Sequence, residues 1–216
     1  MKNLLYKELK LVIHPALYLF ILLSTILLIP NYPYFTGMAY CIVAFNAMFN
    51  VTLSAKDHEF TASLPVKRND IVKAKMLAVM FFEFCYLVIS VPFALLSCYV
   101  LNKSGNLVGL DANLTLFAEA ILGYGVFNLL FFARYFKTGY KHGFAMLFGV
   151  IGFLVVVAAI EIPVNAVAAL KSIFDGTAAE WIWARLLALA VAFAAYIGLT
   201  FATYRISVKN FDKVSL

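Results

Sequence analysis

Six long apolar runs with few charged side chains limit what this chain can fold into. The runs are residues 16–29, 34–54, 76–101, 114–133, 144–160 and 181–204. At about 1.5 Å per residue, residues 34–54 form a helix about 31 Å long, enough to cross a hydrocarbon core of about 30 Å. Such runs must be helical, because backbone groups in lipid have no water to bond. The sequence therefore predicts an all-α polytopic membrane protein with six transmembrane helices.

The composition leaves little room for anything besides these helices. The chain is 64% hydrophobic and 13% charged, against about 25% charged in a typical soluble domain. Six crossings of about 20 residues use roughly 120 of the 216 positions. We therefore expect a single transmembrane domain over residues 1–216, and exclude intrinsic disorder and a secreted disulfide scaffold.

The basic residues are distributed very unevenly between the two sides of the predicted membrane domain. Under a six-span reading, all but Lys103, Lys171 and Arg185 of the 17 Lys and Arg residues lie on one side. The positive-inside rule places that side, with both termini, in the cytoplasm. The same distribution accounts for the net charge of +6 through contact with membrane lipid, so no nucleic-acid partner is expected.

The sequence lacks the common catalytic and metal-binding motifs. It has no Gly-x-x-x-x-Gly-Lys-[Ser/Thr] phosphate-binding loop, no Gly-x-Ser-x-Gly elbow, and no His-Glu-x-x-His or Cys-x-x-Cys spacing. Its three histidines lie on separate predicted segments. We therefore expect no catalytic residue, no metal and no cofactor in this chain.

Polar side chains recur at helical spacing inside two of the apolar runs. Asn46, Asn50 and Ser54 form one stripe, and Glu83 and Tyr86 belong to another. Either these groups form hydrogen bonds that hold the helices together, or they line a translocation path or substrate groove. Asn46, Asn50, Glu83 and Tyr86 are the candidate pathway residues.

The depth of Glu83 in the membrane predicts its neighbours. Glu83 lies eight residues after Lys75, about 12 Å into the bilayer by helical rise. Asn46 lies at a matching depth in an antiparallel span. We therefore expect Glu83 to contact Asn46 or Asn128. An ion-coupled secondary transporter or channel-like protein that uses Glu83 is the alternative function.

Three charged residues lie close to the opposite ends of their spans. Glu119, Glu161 and Arg185 either form ion pairs that join three helices or extend separately towards water. We treat them as an outer charge cluster. Because proline interrupts helical hydrogen bonding, Pro163 predicts an outer re-entrant or interfacial segment at residues 161–176.

Two cytoplasmic segments are amphipathic. Residues 1–13 predict a basic helix that lies along the inner membrane interface. The loop at residues 55–75 places apolar side chains among charged ones on either side of a proline. A simple connection would not need those apolar side chains, so they pack on lipid, on the N-terminal helix or on a soluble partner.

Two stretches of sequence carry a resemblance to a known family. Lys-Asn-Leu-Leu-Tyr-Lys-Glu-Leu-Lys at residues 2–10 and Ser-Leu-Pro-Val-Lys-Arg-Asn-Asp-Ile-Val-Lys-Ala-Lys at residues 63–75 resemble those of ABC-2 type transporter permeases. The chain is similar in particular to compact six-helix permeases that export phenol-soluble modulins or confer resistance to antimicrobial peptides. Unlike some members, it has no large extracellular domain.

The resemblance implies an assembly of several subunits in a bacterial plasma membrane. A cytoplasmic coupling helix in the 55–75 loop would dock on a separate ATPase, which would bind ATP and magnesium. Two permease subunits, either copies or paralogues, and two ATPase subunits would move an amphipathic peptide substrate. The residues that would form the docking surface are Glu59, Phe60, Leu64, Pro65 and Arg68.

Overall fold

The computed structural model describes residues 2–12, 15–57, 60–61, 65–101, 105–176 and 178–214. No β-strand occurs in these ranges, which confirms the all-α expectation for them. The main helices are α1 (Lys2–Lys7), α2 (Pro15–Ile21), α3 (Tyr34–Ser54), α4 (Arg68–Leu96), α5 (Leu114–Lys137), α6 (His142–Ala166), α7 (Ala168–Phe174) and α8 (Ile182–Phe211).

Five helical segments of the described chain are long and apolar enough to cross a membrane. They are Tyr34–Ser54, Arg68–Leu101, Leu114–Lys137, His142–Ala166 and Ala179–Phe211. The first of the six expected crossings corresponds instead to a shorter apolar helix, Tyr18–Leu28. Five of the six predicted runs therefore have the length of a complete span.

The geometry of this first helical segment explains its limited length. α2 continues as a 3₁₀-helix over Leu22–Leu28. A 3₁₀-helix rises about 2.0 Å per residue, so residues 15–28 extend about 25 Å. That is less than the hydrocarbon thickness of about 30 Å. The crossing by this segment stays a prediction.

α5 lies at the centre of the bundle, between α6 and α8. Glycines permit this close packing. A β-carbon at Gly123 would lie 2.6 Å from Cδ2 of Phe153 in α6, and one at Gly125 would lie 2.9 Å from Cδ1 of Leu199 in α8. The two glycines face different neighbours, so α5 can approach both helices.

Aromatic side chains fill the half of the bundle that contains the C-terminal ends of α3, α5 and α8. The ring of Phe49 in α3 lies 4.7 Å from that of Phe131 in α5, and Phe136 lies 5.3 Å from Phe211 in α8. Each of these rings is buried, and offset or edge-to-face pairs contribute about 0.5–1.5 kcal/mol beyond their burial. This packing fixes the position of α3 and α8 relative to α5.

A helix break lies inside the 161–176 segment, whose re-entrant or interfacial character stays a prediction. Pro163 lies inside α6, which ends at Ala166. The extended residue Val167, with φ −114° and ψ 111°, separates α6 from α7. Proline removes only its own N–H bond, and the N–H of Val167 still donates to the Pro163 carbonyl at 3.0 Å. The chain therefore changes direction after Ala166 rather than at the proline.

Candidate functional site

Buried charged side chains join the N-terminal helix to the 55–75 loop and to α4. Lys7 Nζ lies 2.6 Å from both Asp57 Oδ1 and Thr61 Oγ1. It also lies 3.2 Å from Glu8 Oε1. Lys75 Nζ lies 3.1 Å from Glu8 Oε2 and 3.3 Å from Asp57 Oδ2. We call Lys7, Glu8, Asp57 and Lys75 the ion-pair cluster.

This cluster contains two cations and two carboxylates with little access to water. The side chains of Glu8 and Lys75 are each 1% exposed, and those of Lys7 and Asp57 are 11% and 12% exposed. Burial by itself raises the pKa of the Asp57 carboxyl, but Lys75 and Lys7 outweigh it and hold that pKa below its usual range. Removing one member would leave an uncompensated charge, which is costly in a buried site.

The cluster identifies one contact of the 55–75 loop. Of the three partners left open by the sequence, the N-terminal helix is the one that Asp57 and Thr61 bind. The sequence predicted no contact for Lys7 or Lys75, which served to orient the chain and to place Glu83 in depth. A signal was available, because Lys75 shares its helical face with Ile71, which is also buried.

The expected docking surface is described only in part. Phe60 is 59% exposed, and Pro65 is also exposed. Residues 60–61 are helical. Glu59 and Leu64 lie outside the described residues. The docking role of Phe60 and Pro65 stays a prediction.

Arg68 makes contacts that the docking hypothesis did not anticipate. Its Nη1 donates hydrogen bonds to the carbonyls of Phe211 and Val214 at 3.0 and 2.9 Å. Its guanidinium carbon also lies 5.4 Å from the centre of the Phe211 ring. Arg68 thus connects the start of α4 to the end of α8 through hydrogen bonds. Its docking role stays a prediction.

Glu83 lies at the centre of a buried polar network inside the bundle. Asn128 Nδ2 donates to Glu83 Oε1 and Oε2 at 3.0 and 3.1 Å. The hydroxyl of Tyr196 donates to Oε2 at 2.6 Å. Glu83 is 2% exposed and Asn128 is 3% exposed. The expected contact with Asn128 is confirmed, and the network joins α4, α5 and α8.

The other three pathway candidates lie elsewhere. Tyr86 is buried and donates to the carbonyl of Gly37. Asn46 and Asn50 face outward on α3, and Asn50 Oδ1 lies 3.1 Å from His142 Nε2. The structure therefore separates a buried carboxylate network from an exposed polar stripe and does not bring the four candidates together.

A groove of about 650 Å³ lies between α4, α5 and α8. Glu83 and Tyr196 line one end of it, and Arg185 and Asn113 line the other. Most of the remaining lining is apolar. Its other lining residues include Phe84, Leu87, Val91, Leu95, Phe117, Ile121, Leu189 and Phe193. Among the candidate pathway residues, only Glu83 contributes to this groove.

Arg185 does not form the expected ion pair with Glu119 or Glu161. Its Nε, Nη1 and Nη2 donate to the carbonyls of Ile173, Ala178 and Asp175 at 2.9, 3.3 and 3.1 Å, respectively. Backbone carbonyls after α7 have no helical partner, and the forked guanidinium satisfies three of them. Arg185 therefore secures the connection from α7 to α8.

The two outer carboxylates are held differently from each other. Glu119 is 1% exposed, and neither of its oxygens has a hydrogen-bond partner among the described residues. Glu161 Oε1 accepts a long 3.5 Å contact from the N–H of Leu110. The described residues contain no group of three or more His, Cys, Asp or Glu that could hold a metal ion. The outer charge cluster is thus not an ion-paired unit.

The family of the chain follows from a match over almost its entire length. The family profile described as ABC-2 family transporter protein matches residues 3–212. The chain belongs to the ABC-2 transporter family. It is therefore the membrane permease component of an ABC transporter and not the ATPase, and ABC-2 permeases usually work with an ABC ATPase. No curated protein and no solved structure matches the permease significantly.

Proposed function

We propose that the permease is the transmembrane subunit of an ATP-driven exporter that moves amphipathic peptides out of a bacterial cell. The ion-pair cluster is the observation that carries the proposal. Asp57 and Thr61 belong to the loop that contains Phe60, and Lys75 belongs to α4. Because these groups are buried and directly bonded, movement of the loop would be transmitted to a membrane helix.

The direction of this transmission suits a machine driven from the cytoplasm. ATP and magnesium would bind to two separate ATPase subunits, whose approach would move the loops around Phe60. The ion pairs would pull on Lys75, near the cytoplasmic end of α4. A tilt of α4 would then change the groove that this helix lines. Both termini are cytoplasmic in this scheme, as the distribution of basic residues favours.

The exposed polar stripe on α3 supports a second permease subunit. Asn46 and Asn50 face outward from the described chain, next to His142. Polar groups that face lipid are costly. A second permease, identical or paralogous, would cover this stripe or enclose a water-filled path along it. The proposed complex contains two permeases and two ATPases.

The proposed cargo is an amphipathic peptide. Aromatic residues make up 16% of the permease, and such side chains pack well against an apolar peptide face. The resemblance of residues 2–10 and 63–75 to peptide-exporting permeases adds to this support. Export, rather than uptake, follows from the same resemblance.

Reconstitution tests the proposal. The permease is placed in liposomes with its cognate ABC ATPase, and uptake of a fluorescent amphipathic peptide is measured in vesicles whose ATPase faces outward. We expect uptake only when both subunits and ATP are present. Uptake driven by a proton gradient with the permease alone would contradict the proposal and support the ion-coupled alternative.

The Glu83→Gln variant separates these two outcomes further. A proton-coupled carrier that uses this carboxylate would lose its dependence on the proton gradient. An ATP-driven exporter would keep its requirement for the ATPase in this variant, whatever the change in rate.

A further inference from the structure

The groove between α4, α5 and α8 is long enough to hold an extended alkyl chain. On α4 its lining runs from Met80 to Tyr99, a length of about 28 Å by helical rise. Its volume is about 650 Å³, and most of its lining is apolar. A ligand that fills the groove must therefore be largely apolar.

The two ends of the groove carry opposite charges. Glu83 lines the end near the middle of α4, and Arg185 lines the end near α7. Between them, Phe84 and Phe193 are 63% and 56% exposed. The side of the groove therefore opens towards the surface that the lipid would cover. An elongated amphiphile could enter from the membrane and would have one preferred orientation.

The Glu83 carboxyl group has hydrogen-bonding capacity left over. Asn128 and Tyr196 together make three contacts with its two oxygens. A carboxylate has about four lone-pair sites, so one remains after these three contacts. Because Glu83 lines the groove, this acceptor site is available to a ligand in it.

A positive charge is also missing beside Glu83. In the ranges that the structure describes, no Lys, Arg or His nitrogen lies within 4.0 Å of its carboxylate oxygens. An uncompensated carboxylate in an apolar groove is costly. A ligand that both donates hydrogen bonds and carries positive charge would complete the network.

We propose that the groove binds an alkylammonium. Its nitrogen donates a hydrogen bond to Glu83, and its alkyl chain extends along α4 towards Arg185. The reverse orientation would place the ammonium beside the Arg185 guanidinium, where like charges repel. The inference goes beyond the proposed transport, because it concerns binding by the permease without an ATPase.

Equilibrium binding of tritiated decylamine tests this site. The permease is placed in nanodiscs of phosphatidylcholine at about pH 7, where the amine is protonated because an alkylammonium titrates near pH 10. Unlabelled decylamine and decanol compete for the site. We expect decylamine to compete at least about tenfold better than decanol, because charge-assisted hydrogen bonds are stronger than neutral ones.

Matched variants assign the preference to Glu83. Glu83→Gln keeps the shape of the side chain and should abolish the preference for the amine over the alcohol. Glu119→Gln removes another buried carboxylate, which does not line the groove. This variant should keep the preference for the amine over the alcohol. Partition of the probes into lipid is common to both nanodisc samples, so it cancels in the comparison.

A further variant tests the groove without touching Glu83. Leu189→Trp adds volume to the groove wall and should weaken decylamine and decanol alike by about tenfold. Equal competition by the two compounds in the wild type, or an amine preference retained by folded Glu83→Gln, would overturn the proposal. If Glu83→Gln fails to fold, unchanged binding by Leu189→Trp would overturn it instead.

Discussion

Replacement of Lys75 by methionine should destabilise the permease strongly. The Lys75 ammonium is 1% exposed and contacts Glu8 and Asp57 at 3.1 and 3.3 Å. Methionine fills a similar volume but leaves two buried carboxylates with Lys7 as their remaining cation in the cluster. Breaking a buried ion pair in this way costs about 3–5 kcal/mol. For a chain of this length, that corresponds to a drop in melting temperature of roughly 6–20 °C.

The natural cysteines provide the assay. Cys41 in α3 is fully buried, so its reaction with a fluorescent maleimide reports unfolding of the bundle. Cys85 is partly exposed, and its replacement by alanine lowers the signal of the folded state. The melting temperature is then measured in detergent for the wild type and each variant in this background.

Lys73 is the matched control. It lies on α4, two residues before Lys75, but it is exposed. Lys73→Met should change the free energy of unfolding by no more than about 0.5 kcal/mol. If Lys75→Met lowers the melting temperature no more than Lys73→Met does, the ion-pair cluster does not stabilise the fold. The double variant Lys75→Met with Glu8→Gln should lose less free energy of unfolding than the two single variants together, because Glu8→Gln removes a buried carboxylate that Lys75→Met leaves unpaired.

Three further predictions concern other sites. Asp57→Asn should melt at a lower temperature than the wild type, with the largest difference above about pH 5 and a smaller one below about pH 4. The reason is that a carboxyl group whose pKa is lowered in the folded state stabilises that state only when it is ionised. A difference in melting temperature that does not change with pH would contradict this. Arg185→Met should cost about 2–4 kcal/mol by leaving backbone carbonyls unpaired, and Arg185→Lys, measured in the same melting assay, should recover only part of it. Phe60→Asp should abolish stimulation of the partner's ATPase activity in liposomes while the melting temperature changes little; the same effect from Leu107→Asp, a change at an exposed residue of the opposite loop, would argue against docking at Phe60.

The prediction that Glu83 contacts Asn46 or Asn128 is confirmed for Asn128. The rise of a helix is regular, so counting residues placed Glu83 at the same depth as Asn46, but depth alone does not determine a contact. Rotation about the helix axis is harder to predict in a membrane, because apolar residues cover both buried and lipid-facing sides. Asn46 was for this reason an equal candidate, although it faces outward.

The outer cluster shows why nearby charges do not determine their partners. Glu119, Glu161 and Arg185 lie near span ends, so the sequence allowed them either to pair or to extend separately towards water. The backbone offered a competing set of acceptors, since the chain leaves helical geometry after α7. Arg185 binds those carbonyls, a contact that depends on the path of a connecting segment and not on the spacing of charged residues.

The sequence by itself predicted that this chain is helical and that it contains six apolar runs, of which five have the length of a membrane span in the structure; the charge asymmetry between the two sides follows from the predicted topology. These properties depend on hydrophobicity and charge averaged over about 20 residues, which a linear reading captures. Only the tertiary structure decided that Lys7, Glu8, Asp57 and Lys75 meet and that Glu83 lines a groove. Such contacts depend on helix rotation and on the joining of distant segments, where a difference of one residue turns a side chain by about 100°.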